Sequence, residues 1–212
     1  MADGTREVIV GMTGSGKTLF GMYRVSSYPF HRKPLYIFDM KGDKLIDEIG
    51  AEEISISAKP PKKPGLYVVR PLPGEEALVS AYLMQCWAQE KCGLYFDEGG
   101  MIPARDRWFR ALLTQGRSKE IDMFILSQRP VNLDRYVFTE ASYFAIFKLA
   151  TKDDRKTVES YLDNTEINLL PRFHSLWYDV TEQSSCVVRP VPPGEQIIER
   201  FRVRLDKSPV KI

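Results

Sequence analysis

The sequence is poor in the residues that build metal centres and disulfide frameworks. Its 212 residues include three cysteines and two histidines, and their spacing matches no zinc site. An odd cysteine count without framework spacing also excludes a small domain held together by disulfides. We therefore expect Cys86, Cys92 and Cys186 to be buried, unreactive thiols.

Long apolar runs and an excess of one charge are missing as well. No stretch approaches the roughly 18 apolar residues of a membrane span, and the first residues lack the apolar core of a signal peptide. We expect a cytosolic protein, or one packed from a cytosol into a larger particle. Lys and Arg (30) nearly balance Asp and Glu (28), for a net charge of +2. A polyanion would therefore be held by local clusters or by an assembly around it.

The remaining composition is that of one globular domain, with 43% hydrophobic and 27% charged residues. The predicted strands are Arg6–Val10, Leu35–Phe38, Leu66–Val69, Leu94–Phe96, Met123–Leu126, Tyr143–Leu149, Leu176–Val180 and Cys186–Val188. The predicted helices are Lys17–Ser27, Lys44–Ile49, Glu75–Glu90, Asp106–Gly116 and Asp153–Leu162. This alternation predicts parallel βαβ units in a single α/β domain over residues 1–212. Its core covers about 6–150, and 151–212 adds a helix, strands and, from Glu199, a basic tail.

A glycine-rich loop follows the first predicted strand. The segment after Val10 reads Gly11, Met12, Thr13, Gly14, Ser15, Gly16, Lys17 and Thr18, which matches G-x-x-x-x-G-K-[ST] without a gap. Such a loop turns its backbone N–H groups toward phosphate, while the lysine reaches the β- and γ-phosphates and the hydroxyl ligates Mg²⁺. A plain Gly/Ser turn is the simpler interpretation, but the strand before it and the helix after it favour a nucleotide site.

Two adjacent carboxylates end a later apolar strand. Asp97 and Glu98 follow Leu94–Phe96, and neighbouring side chains of a strand face opposite sides. We expect Asp97 to hold the Mg²⁺ shell through water and Glu98 to act as base for the attacking water. Solvated acids opening a Gly-Gly turn are the alternative.

Two further polar residues complete the candidate site. Gln128 ends the strand that closes with Ser127, and it would sense the γ-phosphate if that strand inserts between the phosphate-loop strand and the acidic strand. Arg117 ends a predicted helix. Its spacing fits a cap for that helix and equally an arginine finger reaching a neighbouring subunit's nucleotide. Arg129 and Arg110 are alternative fingers.

These segments together resemble the FtsK–HerA superfamily of P-loop motor ATPases, most of all its small viral genome-packaging members. The resembling segments are 11–18, 38–43, 94–98 and 115–130, within a stretch from about Glu7 to Leu149. The resemblance implies a RecA-like ASCE core: a central, mostly parallel sheet flanked by helices, with an extra strand between the two Walker strands. It also implies ATP with Mg²⁺, a homohexameric ring, and Arg117 acting in trans.

The resemblance further implies the packaging of double-stranded DNA into a preformed viral capsid, in the host cytoplasm or the virion. Capsid-vertex or membrane proteins are further expected partners. Two basic segments are candidates for DNA contact, a loop and a tail: Lys59, Lys62, Lys63, Arg200, Arg202, Arg204, Lys207 and Lys211. For either segment taken singly, ordinary solvated charge is the favoured interpretation, and the tail could equally dock on a neighbouring subunit, a capsid vertex or a membrane protein. The alternatives are a filamentous-phage assembly ATPase similar to zonula occludens toxin, a P-loop small-molecule kinase, and an assembly protein that binds ATP without hydrolysing it.

Overall fold

A computed structural model describes residues 4–103, 105–162 and 166–206 of the chain. In this part of the chain the strands are β1 (Arg6–Val10), β2 (Leu35–Phe38), β3 (Glu52–Glu53), β4 (Leu66–Val69), β5 (Gly93–Phe96), β6 (Asp122–Ser127), β7 (Tyr143–Ile146), β8 (Ser175–Asp179) and β9 (Ser184–Val188). The α-helices are α1 (Lys17–Val25), α2 (Lys44–Glu48), α3 (Glu76–Gln89), α4 (Arg107–Gln115), α5 (Arg135–Thr139), α6 (Lys152–Glu159) and α7 (Gly194–Asp206). No helix within these ranges combines the length and the apolar character needed to cross a bilayer.

The strands form one sheet in the order β3-β4-β2-β5-β6-β1-β7-β8-β9. All pairs from β3 to β7 are parallel, while β8 and β9 add antiparallel strands beyond β7. β6 lies between β1 and β5, which confirms the expected insertion of the Gln128 strand. Val10 is paired with Ser127, and Phe96 with Ile125. The carboxyl ends of β1, β5 and β6 therefore lie side by side, at the end of the strands where parallel sheets bind ligands.

Both faces of the sheet are buried under helices, which explains why its central strands are continuous apolar runs. In β1, Val8 and Val10 pack into the layer that includes Phe109 of α4. Ile9 points the other way, into the layer that includes Phe20 of α1 and Phe201 of α7. Helices α3 to α6 cover the first face and α1, α2 and α7 the second.

The C-terminal segment differs from the expectation of a basic tail. Residues Gly194–Asp206 form helix α7, which buries Ile197, Ile198 and Phe201. The four-residue spacing of Ile197 and Phe201 is helical, but the arginines between and after these residues make the segment resemble a solvated charge run. Lys207 and Lys211 of the predicted tail lie outside the described residues.

The expectation for the cysteines was wrong at one of three positions. Cys86 and Cys92 are buried free thiols, whereas Cys186 is exposed. Cys186 lies on β9, a strand that pairs with β8 at one end of the sheet and is largely exposed. A strand at the end of a sheet has a neighbouring strand on one side only, so an apolar run there need not be covered.

Candidate nucleotide site

The loop between β1 and α1 has a shape that only glycine allows at several points. Gly14 and Gly16 have φ of 72° and 100°, in the left-handed region that disfavours side chains. A Cβ at Gly11 would lie 2.5 Å from the Cβ of Phe147. Helix α1 then begins at Lys17, so that its positive N-terminal end adjoins the loop. This geometry is that of an anion-binding loop.

The loop also holds donors that lack a full set of protein partners. Lys17 is only 6% exposed, and its Nζ donates to the carbonyl of Met12 at 3.3 Å. Burial lowers the pKa of Lys17 from 10.5 to about 8, an effect that Glu98 opposes and Lys41 reinforces. The buried Ser15 hydroxyl has no hydrogen-bond partner among the described residues. A bound phosphate would satisfy both groups.

The two carboxylates after β5 face different partners, as the alternation along a strand predicts. Asp97 Oδ1 accepts a hydrogen bond from Thr18 Oγ1 at 3.1 Å. Glu98 lies toward the end of β6, where its Oε1 accepts from Ser127 Oγ at 2.6 Å. Its Oε2 lies 2.5 Å from Lys41 Nζ. Their separate positions allow separate tasks, and the two roles assigned from the sequence stay predictions.

Asp97 is the more perturbed of the two acids. Burial raises its pKa to about 6, with smaller contributions in the same direction from Asp43 and Asp39. Lys41 and the hydrogen bond from Thr18 act against this rise. A nearby cation would favour the ionised carboxylate, as it does for any acid that ligates a metal.

Gln128 joins the phosphate loop to the acidic pair. Its backbone N–H donates to Glu98 Oε1 at 3.2 Å, and its side-chain Oε1 accepts from Thr13 Oγ1 at 2.7 Å. A cavity of about 290 Å³ lies between these elements. Its lining consists of Thr13, Gly14, Gly16, Lys17, Thr18, Leu19, Lys41, Asp43, Asp97 and Gln128. The structure thus brings together the phosphate loop, both acids and the glutamine.

Arg117 does not join this cavity in its own chain. Its Nη2 is 3.5 Å from Ser142 Oγ, and the Ser142 N–H donates to the carbonyl of Arg6. Arg6 begins β1, whereas the phosphate loop follows the far end of that strand, roughly 13–16 Å away at about 3.3 Å per residue. The capping of α4 is performed by Arg6, which donates to the carbonyls of Leu112 and Leu113 at 2.9 Å each. The trans role of Arg117 stays a prediction.

The two alternative finger residues have partners within the chain. Arg110 Nε is 2.6 Å from Asp134 Oδ2, and Arg129 Nε is 3.0 Å from Asp154 Oδ2. Asp154 is fully buried, so removal of Arg129 would leave a buried carboxylate without this partner. Both arginines therefore pair with carboxylates of their own chain, which favours Arg117 for any contact outside it.

The two predicted basic segments differ in how far they are free to bind DNA. Lys59, Lys62 and Lys63 are exposed on the loop before β4. In α7, by contrast, Arg200 donates to Ser27 Oγ at 3.0 Å and Arg204 to the carbonyl of Tyr28 at 2.7 Å. These two arginines fasten the helix to the segment that follows α1.

Sequence reasoning did not assign a role to Lys41 or Ser127, although both contact Glu98. Lys41 lies in the segment 38–43, which carries part of the family resemblance, and it follows the end of β2. The feature of the sequence that could have indicated a role for Lys41 was therefore its position directly after a parallel strand. Its contact with Glu98 joins residues 57 positions apart, and only the sheet order brings them together.

An apolar cleft of about 170 Å³ continues from the phosphate cavity around the start of α1. Gly16 and Leu19 line both spaces. The other lining residues of the cleft are Phe20, Phe147, Phe173, Pro190, Val191 and Pro193. Phe173 has φ of 64°, a conformation that bulky residues rarely adopt and that is concentrated at functional sites.

The chain is similar in sequence to a known protein and in fold to several solved structures. The chain is 42% identical over 211 residues to "DNA packaging ATPase P9" of Enterobacteria phage PRD1, an alignment that spans 94% of this chain and 92% of the relative. Its fold is similar to that of B204, the DNA-packaging ATPase of Sulfolobus turreted icosahedral virus, with a TM-score of 0.75, 19% identity and coverage of 91% of this chain and 100% of that one. EssC ATPases 2 and 3 of Geobacillus thermodenitrificans share the fold at a TM-score of 0.70 and 12% identity, over 98% of this chain and 46% of theirs. No protein-family model matches the chain.

Proposed function

The chain belongs to the family of DNA-packaging ATPases that includes P9 of phage PRD1, and from this membership we propose that it hydrolyses ATP to drive double-stranded DNA into a preformed viral capsid. The observation that carries the proposal is the meeting of four elements at one cavity. Lys17, Thr18, Asp97 and Gln128 line it together, and Glu98 adjoins it through Gln128 and Lys41. These residues supply the parts that phosphoryl transfer to water requires.

Each residue has a distinct task in the proposed reaction. The loop N–H groups and Lys17 bind the phosphates and orient the terminal one. Glu98 accepts a proton as the water oxygen bonds to the γ-phosphorus and the bond to the ADP oxygen breaks. The Gln128 amide, now held by Thr13, forms a hydrogen bond to the terminal phosphate and so reports whether it is present.

The residues at the base of the cavity fit Mg²⁺. Thr18 and Asp97 place a hydroxyl and a carboxylate oxygen 3.1 Å apart, and hard oxygen donors are those that Mg²⁺ prefers. No group of three or more His, Cys, Asp or Glu suited to a metal occurs in the described ranges, so nucleotide phosphates would complete the coordination. When bound, the ion neutralises negative charge on the phosphates.

The apolar cleft offers a place for the base. Lys17 and Gln128 mark the end of the cavity for the terminal phosphate, so the nucleotide extends toward Gly16 and Leu19, where the cleft begins. Phe173 would stack on the purine ring. The side chains lining this cleft carry no polar groups, so we infer that the base is held by contact area, with weak discrimination between ATP and GTP.

The central test is phosphate release by the wild-type chain with and without duplex DNA, at subunit concentrations high enough for assembly. Stimulation by duplex DNA is the expected result for a motor. Glu98→Gln should still bind ATP but lose turnover, since the amide cannot accept a proton. Normal turnover in Glu98→Gln would overturn the role of Glu98.

The same assay separates the alternative activities. A small-molecule kinase would transfer labelled γ-phosphate to an added acceptor, whereas a motor releases it as inorganic phosphate. A hexameric ring is the expected assembly, and solution mass in the presence of ATP and DNA measures it directly. Capsid-vertex or membrane proteins would bind such a ring at the site of packaging.

A further inference from the structure

The segment between β2 and α2 has no task in the mechanism above, although it borders the nucleotide cavity. It contains Asp39, Met40, Lys41, Gly42 and Asp43. Two of these residues, Lys41 and Asp43, line the cavity. The inference below rests on the proposed ATPase function and concerns the same site.

This segment is a rigid turn. Asp39 is 2% exposed, and its Oδ1 accepts hydrogen bonds from the backbone N–H groups of Lys41, Gly42 and Asp43 at 3.3, 2.8 and 3.1 Å. Its Oδ2 lies 3.0 Å from Arg70 Nε. A buried carboxylate that accepts several N–H groups fixes the backbone around it, so the position from which Lys41 extends is well defined.

Arg70 ties the turn to the rest of that end of the sheet. Besides Asp39, its guanidinium pairs with Asp47 of α2 and with Glu53 of β3. The turn is therefore supported from the helix that follows it and from the edge of the sheet. The turn holds the Lys41 backbone through Asp39, while the Lys41 side chain pairs with Glu98 and remains 35% exposed.

The Lys41 ammonium holds the carboxylate assigned as the catalytic base. Its Nζ lies 2.5 Å from Glu98 Oε2, while Ser127 and the Gln128 N–H hold Oε1. While the ammonium occupies Oε2 and two further donors occupy Oε1, fewer lone pairs of this carboxylate are available to an attacking water. In this arrangement Glu98 is held back from the chemistry.

A terminal phosphate would compete for the same ammonium. It enters the cavity that Lys41 lines together with Lys17, and it carries more negative charge than a carboxylate. Lys41 can reorient because its stem is long and partly exposed, whereas Ser127 and the Gln128 N–H belong to the end of a buried strand.

We propose that Lys41 is a positioning residue for Glu98 that responds to the γ-phosphate. Without a terminal phosphate it pairs with Glu98. With ATP bound it pairs with the γ-phosphate, and Glu98 is released to accept the proton of the attacking water. The base would thus be freed only when a hydrolysable nucleotide is present.

The test compares Lys41→Met with Lys44→Met, which removes an exposed lysine three positions along the chain. Binding of ADP and of a non-hydrolysable ATP analogue is measured by calorimetry with Mg²⁺, alongside kcat. We expect Lys41→Met to weaken analogue binding about tenfold or more, to leave ADP binding within about twofold, and to lower kcat. Lys41→Arg should restore most of the analogue binding, and Lys44→Met should behave as wild type.

The selectivity between the two nucleotides is the readout that a structural role would not produce. Equal weakening of ADP and analogue binding, or unchanged analogue binding, would overturn the proposal. Retained ADP binding also shows that the variant is folded. If the wild-type chain itself fails to hydrolyse ATP, the proposed function fails. If it hydrolyses ATP and Lys41→Met matches it, only the role of Lys41 fails.

Discussion

Among individual side chains, Lys17 is placed to bind nucleotide phosphate at the expense of the folding stability of the free chain. A cation that is 6% exposed and makes one 3.3 Å contact to a carbonyl is held in place by the loop around it. Before nucleotide arrives, its burial disfavours the charged form, as the lowered pKa of about 8 indicates. We therefore expect the free chain to be less stable than a variant with an apolar side chain at this position.

Lys17→Met should raise the unfolding free energy at neutral pH by about 1–3 kcal/mol while abolishing ATP binding. The folded chain binds this proton less tightly than the unfolded chain, so wild-type stability rises as pH increases from about 8 toward 10.5. The advantage of the variant should shrink over that range. Denaturant unfolding at about pH 7 and about pH 9.5 measures it, with Lys44→Met as the exposed control. A variant less stable than wild type at neutral pH would contradict this account.

Phe173 provides the corresponding test of the base cleft. Phe173→Ala should raise KM about tenfold for ATP and for GTP alike, with a smaller change in kcat, because the ring contributes contact area and no hydrogen bond. Phe173→Tyr serves as the aromatic control and should stay close to wild type. A loss confined to ATP, or a wild-type preference for ATP over GTP above about a hundredfold, would place specific base contacts elsewhere.

The sequence was enough to predict where the candidate site lies, but not which residues hold Glu98 in place. The phosphate loop, the acidic pair and Gln128 each follow a continuous apolar strand, so local pattern was enough to place them at one edge of a parallel sheet. Lys41 could be assigned no task because its partner, Glu98, is distant in the chain. Ser127 was assigned no role for the same reason, since its partner is also Glu98.

Among the elements, the sequence predicted every strand of the described residues except β3, including β8 and the exposed β9 at one end of the sheet, and it missed two α-helices. β3 has only two residues, too few to show a pattern. α5 is a five-residue helix in a segment of mixed polarity. α7 was concealed by its arginines, two of which turn out to fasten it to the residues after α1.

The packing of α7 predicts a stability effect that a basic tail would not have. Phe201 is fully buried and stacks on Phe30, with ring centroids 6.2 Å apart. Phe201→Ala should cost about 3–5 kcal/mol and lower Tm by roughly 6–20 °C. The neighbouring exposed residue supplies the control, Arg202→Ala, which should change Tm little. Calorimetry measures the Tm of both variants. An unchanged Tm in Phe201→Ala would mean that α7 does not pack as described.

For the whole chain, Arg117 and the phosphate loop lie at opposite ends of the same strand. If Arg117 completes the site of a neighbour, Arg117→Ala and Lys17→Ala are each inactive for different reasons. Their mixture should recover activity, because a Lys17→Ala subunit still offers its arginine to a neighbouring Arg117→Ala subunit that still binds ATP. Phosphate release by the mixture, compared with each variant alone, measures this. A mixture as inactive as its components would remove Arg117 from the reaction.

If Arg117 acts in trans, the separation of these two ends along β1 would also give a ring of such subunits a direction. Every subunit would place its Arg117 at the nucleotide site of the neighbour on one side and receive an Arg117 from the neighbour on the other side. Hydrolysis at one site would then be coupled to the next site in one direction around the ring. The order in which ATP is consumed around the DNA would then be inherited from the direction in which a single five-residue strand runs.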